Sequence, residues 1–221
     1  MKTLTDDTRM IEQAADPRIT YPCYKSFDEF IDVERLKSLD GYISERIREH
    51  IRTARDDYFL NLHRLKSSTP EVPGVREIWL TRTRRGVPYN YLDLNRPELW
   101  QQTPAAEEFR PLMEFIETLP FKATGRMLII YDEAGTPVPA HRDHLSPELC
   151  HEFIWFRTNL DKPFYMLNHK TDERLYVETY SAWFDTVNQF HGSDPQDGLS
   201  FSIRVDGHFT DEFKRRIPVP A

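Results

Sequence analysis

After Pro120 the chain breaks into short apolar and β-branched runs at close spacing: Arg126 to Tyr131, Glu152 to Arg157, Pro163 to Asn168, Arg174 to Glu178, Ala182 to Val187 and Ser200 to Val205. Short strands set this close together point to a sandwich or jelly roll rather than a parallel sheet of strand–helix–strand units.

The first half has a different texture. Residues 1–25 are polar and punctuated by Pro17 and Pro22, and read as an extended lead-in. Ser26 stands three residues before Glu29, a capping-box spacing, and Phe27, Phe30 and Ile31 follow at helical intervals, so a short helix is expected. A second helix is expected from Asp40 to about Leu65, on the stripe Ile43, Ile47, Ile51, Phe59 and Leu62. The segment Ser67 to Gly74 ends it and introduces a strand-like run, Val75 to Leu80. From Ala105 to Thr118, Phe109, Leu112, Met113 and Ile116 share one helical face, with Pro111 placed to kink or split the helix. A chain of 221 residues suits one domain. The expected class is α+β: residues 1–25 a lead-in, 26–120 mainly helical support, and 121–213 a double-stranded β-helix core of the jelly-roll, cupin-like kind.

Charge narrows the partners. A formal net charge of -7 argues against broad binding to nucleic acid or an anionic membrane. Arg82, Arg84 and Arg85, beside Gly86 and Pro88, read as a solvated loop before a phosphate site. Cys23 and Cys150 are too few for a structural zinc cluster, and the N-terminus lacks a secretory pattern, so a cytoplasmic protein is the expectation. No apolar stretch approaches the roughly 20 residues that cross a bilayer.

Chemistry concentrates in Gly135-Thr-Pro-Val-Pro-Ala-His141-Arg-Asp143-His144, directly after the apolar run ending at Tyr131. Side chains at i and i+2 project to one side of an extended backbone, so His141 and Asp143 can reach one metal ion. His191 precedes Gly192 after another strand, where antiparallel pairing brings it opposite them. Two imidazoles and one carboxylate on one face suit octahedral iron(II) with open positions for a co-substrate and dioxygen; zinc more often takes a tetrahedral set. His144 is out of phase with His141 and faces the pocket mouth or solvent. His169 reads as a turn residue and His208 as structural.

Downstream, Ser202 and Arg204 share a face of the alternating run Ser200 to Val205. An inward arginine in a barrel needs an anion, and the distal carboxylate of 2-oxoglutarate matches the guanidinium fork, with a hydroxyl beside it. The bland alternative pairs Arg204 with Asp206 on the surface. If the run Glu152 to Arg157 is regular, His151, Phe153, Trp155 and Arg157 share a face, and His151, Trp155 and Arg157 are candidates to contact substrate or co-substrate.

His141-Arg-Asp143, then His191, then Arg204 within Phe-Ser-Ile-Arg-Val-Asp-Gly resembles the iron(II) and 2-oxoglutarate-dependent oxygenases. The resemblance is to the aspartyl/asparaginyl β-hydroxylase-like branch, which includes bacterial free-amino-acid hydroxylases, and it covers Arg126 to Phe209. It implies Fe(II), 2-oxoglutarate and O2 as cofactors and co-substrates, with release of succinate and carbon dioxide. It implies a small-molecule substrate, an amino acid or an amino-acid-derived or peptidyl compound, for which Arg142, His151, Trp155 and Arg157 offer a carboxylate contact and an apolar wall. Because Asp143 keeps the carboxylate that family halogenases replace, hydroxylation is the expected outcome, although desaturation or ring formation uses the same ligands. Two rivals remain: a cupin-like metal enzyme without 2-oxoglutarate, which has no need of Arg204, and a non-enzymatic binding jelly roll, which has no need of a converging metal triad.

Overall fold

A computed structural model describes residues 24–53, 75–135, 137–143, 152–168, 171–186 and 189–216. Helices and antiparallel sheets are mixed along the chain, in line with the expected α+β composition. The chain begins with strand β1 (Tyr24–Ser26), helix α1 (Val33–Ser38) and helix α2 (Asp40–Thr53). β2 (Arg76–Trp79), β3 (Thr81–Thr83) and β4 (Trp100–Gln102) precede helices α3 (Pro104–Glu108) and α4 (Arg110–Ile116). The remainder is β5 (Phe121–Ala134), β6 (Val138–His141), β7 (Phe153–Phe156), β8 (Phe164–Asn168), β9 (Glu173–Tyr176), β10 (Ser181–Phe184), β11 (His191–Ser193), β12 (Asp197–Phe209) and helix α5 (Asp211–Arg216).

Among the described residues the strands form a six-stranded sheet, β1-β10-β7-β12-β5-β2, a four-stranded sheet, β6-β11-β8-β9, and the small pair β3-β4. From β5 onward the chain passes back and forth between the two larger sheets, so β6 and β11 of one sheet are flanked in sequence by β5 and β12 of the other. Each larger sheet is antiparallel throughout.

Two strands of the six-stranded sheet lie before residue 121, where the expected β core begins. β1 lies across the end of the polar lead-in and pairs with β10, Lys25 opposite Trp183. It is pinned by Asp28, whose carboxylate accepts from the backbone N–H groups of Tyr180 and Ser181 at 3.0 and 2.7 Å and from the Ser181 hydroxyl at 2.7 Å. Periodicity cannot register such a strand, because its partner lies about 160 residues away. β2 falls at the strand-like run Val75 to Leu80 and completes the opposite edge against β5.

The expected helix at Ser26 becomes a single 3-10 turn, Asp28–Phe30, followed by α1, whose N-terminus Asp32 caps by accepting from Arg35 N–H at 2.9 Å. α2 buries Ile43 and Ile47; the expected continuation to Leu65 lies outside the described residues. Pro111 splits rather than kinks the third helix: α3 ends at Phe109, which leaves helical geometry at φ -104° and ψ 32°, and Pro111 occupies the first turn of α4, where no N–H is required. Phe109, Leu112, Met113 and Ile116 are all buried, as their spacing predicts.

The main core lies between the helices and one face of the six-stranded sheet. Ile203 and Val205 of β12, Met127 and Ile129 of β5 and Phe156 of β7 join Ile43, Ile47, Phe109 and Phe115 there. The other face of β12, through Ser200, Ser202, Arg204 and Asp206, is polar. Its pairing with β5 is regular from Ser200 to Val205, which keeps Ser202 and Arg204 on one face. That polar face belongs to the space between the two larger sheets, where Trp155 of β7 stacks on Phe164 of β8, ring centroids 4.6 Å apart.

Candidate metal centre

β6 and β11 are neighbours, and their pairing puts His141 directly opposite His191, ring centroids 4.5 Å apart. Each ring is oriented by the carbonyl two residues before it: His141 Nδ1 lies 2.9 Å from Pro139 O, and His191 Nδ1 lies 3.1 Å from Gln189 O. A carbonyl only accepts, so Nδ1 carries the proton in both rings and each Nε2 presents a bare lone pair.

Asp143 follows just past the end of β6, fixed by its backbone N–H to Thr186 O at 2.8 Å. Its Oδ1 stands 3.2 Å from His191 Nε2 and 3.5 Å from His141 Nε2. Among the described residues these three side chains alone form a group whose ligand atoms all lie within 4.8 Å of one another. Burial, with His141 beside it, pushes His191 below its ordinary value, which favours the neutral ring. Burial opposes ionisation of Asp143, but the facing His191 and His141 rings and Arg204 hold its carboxyl well below the usual range. Both Nε2 atoms and Asp143 Oδ1 thus converge on one point, where a proton or a cation must relieve the repulsion between their lone pairs. Two imidazoles and a carboxylate, with both second nitrogens anchored, fit a divalent transition metal.

Gly192 makes this close approach feasible. A Cβ there would lie 2.5 Å from Val138 O and 2.7 Å from Tyr165 Oη, so any side chain would push β11 away from β6 or β8.

Arg204 borders the triad. It is buried, with Nη1 donating to Asp143 Oδ2 at 2.8 Å, Nε donating to Asp206 Oδ1 at 3.0 Å, and its Cζ 4.1 Å from the centre of the Phe153 ring. Its Nη2 has no well-directed acceptor, although Asp206 Oδ1 is 2.9 Å away. The Asp206 pairing foreseen for an exposed arginine is therefore present, but in the interior. Asp206 also accepts from Arg126 Nε at 2.9 Å. Burial would raise Asp206; Arg126 and Arg204 overcome it and hold the carboxyl below its ordinary value. Tyr91, from the 3-10 turn Tyr91–Asp93, donates its hydroxyl to Asp143 Oδ2 at 3.3 Å.

The remaining sequence candidates are dispersed around this centre. Trp155 lies opposite Arg204 in the strand register, with Phe153 opposite Asp206, so both share the polar face of β12. Arg157 is buried and gives its donors to the carbonyls of Thr179 at 3.1 Å, Lys162 at 2.8 Å and Val177, with its Cζ 5.2 Å from the Trp155 ring; burial lowers it to about 10. Arg142 is buried against the Phe190 ring at 5.6 Å. Ser202 is half-buried on the same strand face as Arg204, and two residues before it Ser200 donates to Asp132 Oδ2, which also pairs with Lys162. His144 and His151 lie outside the described residues, as do Cys23, Cys150 and His169.

Tyr91, Arg126 and the interior role of Asp206 have no counterpart in the sequence reading. Tyr91 sits in a Pro- and Asn-rich stretch without periodicity, more than fifty positions from its partner. The unbroken apolar run Met127-Leu-Ile-Ile that directly follows is the one hint that Arg126 points inward.

No protein-family model matches the chain, and no curated protein matches it. Similar solved structures include a Pseudomonas putida prolyl-4-hydroxylase at 12% identity, covering 90% of this chain and 96% of that one with a TM-score of 0.45. A prolyl hydroxylase from Trichoplax adhaerens, in complex with a hypoxia inducible factor oxygen degradation domain peptide fragment, is 10% identical over 98% of this chain and 96% of that one, with a TM-score of 0.49. An oxidoreductase of the 2OG-Fe(II) oxygenase family from Burkholderia pseudomallei is 13% identical over 64% and 71%, with a TM-score of 0.39. No helix among the described residues is long and apolar enough to cross a membrane.

Proposed function

We propose that this chain is an iron(II)- and 2-oxoglutarate-dependent oxygenase that hydroxylates an unactivated carbon of an amino acid or an amino-acid-derived or peptidyl substrate. The observation that carries the reading is the convergence of His141 Nε2, His191 Nε2 and Asp143 Oδ1, with both Nδ1 atoms already committed to carbonyls. The alternation of successive strands between two antiparallel sheets supports a double-stranded β-helix around that centre, with the metal ligands at the ends of β6 and β11. The His141-Arg-Asp143, His191 and Arg204 order supports the aspartyl/asparaginyl β-hydroxylase-like branch. The cytoplasm is the proposed compartment.

In this reading His141, Asp143 and His191 hold the iron, which together with 2-oxoglutarate and dioxygen supplies the oxidising power that turns C–H into C–OH, with release of succinate and carbon dioxide. Arg204 receives a carboxylate of the co-substrate through Nη2, which lacks a well-directed acceptor, and Ser202 offers a hydroxyl on the same strand face. Trp155, stacked on Phe164, contributes an apolar wall that limits water. Arg142, Arg157 and His151 are the proposed candidates for the substrate side. One observation favours a second reading: Asp143 and Asp206 already neutralise Arg204, as a cupin-like metal enzyme without 2-oxoglutarate would require.

Anaerobic titration with iron(II) and 2-oxoglutarate separates the two. The first reading expects a weak visible charge-transfer band, absent in Asp143→Ala and needing far more co-substrate in Arg204→Ala. Bound iron without a band removes 2-oxoglutarate and leaves the cupin-like enzyme; no iron binding removes both. With a band in hand, succinate release over a panel of amino acids identifies the substrate.

A further inference from the structure

The two oxygens of Asp143 have different surroundings. Oδ1 faces both Nε2 atoms, whereas Oδ2 accepts from Arg204 Nη1 at 2.8 Å and from the Tyr91 hydroxyl at 3.3 Å. Neither donor is positioned casually. The Arg204 guanidinium is held by Asp206 through Nε, and the Phe153 ring packs 4.1 Å from its Cζ. Asp206 is fully buried and held in turn by Arg126 Nε, whose Nη1 lies 3.4 Å from Tyr89 Oη. Tyr89 and Tyr91 flank Asn90, which is extended at φ -140° and ψ 130°, so both hydroxyl-bearing side chains leave the backbone on one side; Asn90 also caps the following turn by accepting from Leu92 N–H at 3.0 Å.

We infer that Arg204 and Tyr91 form a clamp on Asp143 Oδ2 that restricts the carboxylate to one metal bond, through Oδ1. The inference rests on the proposed metal centre and adds to it a positioning role for Arg204, a residue also proposed as the co-substrate anchor, and for Tyr91. A carboxylate held to a bound metal through one oxygen would leave more of the coordination sphere open to a co-substrate and dioxygen than one that chelates through both. Arg204 thereby ties the metal ligand and the anion site to a single guanidinium, braced from behind by Asp206 and Arg126.

The two roles of Arg204 separate when metal binding is measured without co-substrate. Cobalt(II) is titrated into the full chain, wild type, Tyr91→Phe and Arg204→Lys, following the visible cobalt bands, with thermal unfolding as the check on folding. The clamp predicts cobalt affinity about 10-fold or more weaker in Arg204→Lys and less weakened in Tyr91→Phe. It also predicts altered band positions in both, as the second oxygen enters the coordination sphere. Folded variants with wild-type affinity and unchanged bands overturn the clamp, and Tyr91→Phe alone decides if Arg204→Lys does not fold. Wild-type cobalt binding without a 2-oxoglutarate charge-transfer band ends the oxygenase reading while a response in the variants still upholds the clamp; no cobalt binding by the wild type ends both.

Discussion

His141 and His191 are direct partners across the β6–β11 pairing, and each ring is oriented by the carbonyl two residues before it in the chain. The shared i-2 contact fixes both rings in one tautomer before any ion arrives, so binding needs little rearrangement. Manganese(II) or cobalt(II) at about 100 times its dissociation constant is therefore expected to stabilise the fold by about 2.7 kcal/mol. Differential scanning calorimetry would register this as a higher midpoint, and His191→Ala is expected to lose the increment. A midpoint indifferent to metal in the wild type would contradict the centre.

Gly192→Ala tests how closely the strands around His191 must approach. The added carbon would fall 2.5 Å from Val138 O and 2.8 Å from Tyr165 Cζ, and the carbonyl belongs to backbone that cannot rotate away. A loss of about 1–3 kcal/mol is expected from the overpacking. Metal affinity should drop with it, because shifting β11 displaces His191 from His141. Urea unfolding and metal titration on the same variant measure both effects.

Asp206 lies between two buried guanidinium groups, Arg126 and Arg204. Asp206→Asn leaves both cations without their shared carboxylate and is expected to cost about 3–5 kcal/mol. The sign with pH follows from the lowered carboxyl. The folded state holds the proton more weakly than the unfolded chain, whose carboxyl titrates near about 3.9. The contribution is complete above that value and disappears as pH falls through the folded-state value. Wild-type stability should fall on acidification below about pH 4, and the variant's curve should be flatter there.

Arg157→Lys replaces a fork that serves the carbonyls of Thr179, Lys162 and Val177 with a single ammonium. At least one buried carbonyl loses its donor, at about 1–3 kcal/mol. Urea denaturation gives the change in stability. Once a substrate is known, the Michaelis constant of the same variant reveals whether Arg157 also contacts it.

Much of this site was legible because strand periodicity is a local property. His141 and Asp143 are two positions apart, and the side chains at i and i+2 do converge, although Asp143 lies just beyond the strand. Ser202 and Arg204 share a face for the same reason. Position of His191 followed from its place after a strand and before a glycine, and the pairing with His141 is the antiparallel one that spacing suggests. Long-range partners were not legible. Nothing near Tyr91 announces Asp143, nothing in the lead-in announces that Tyr24 will pair with Phe184, and hydropathy gave Arg204 an inward direction without revealing that Asp206 would follow it inside. These contacts depend on which strands become neighbours, which a one-dimensional pattern records only when the partners are adjacent.

β12, the last strand among the described residues, occupies an interior place in the six-stranded sheet, between β7 and β5. A ribosome would release β5 well before the residues that must lie beside it, leaving two strand edges open in the growing polypeptide. Loop closure on that scale slows the search for the native state, and the open edges are templates for association with other chains. β12 thus acts as the keystone of assembly: a chain ending before Asp197 lacks the strand that joins β5 to β7, and it is expected to emerge as aggregate, recoverable only when the missing strand is supplied.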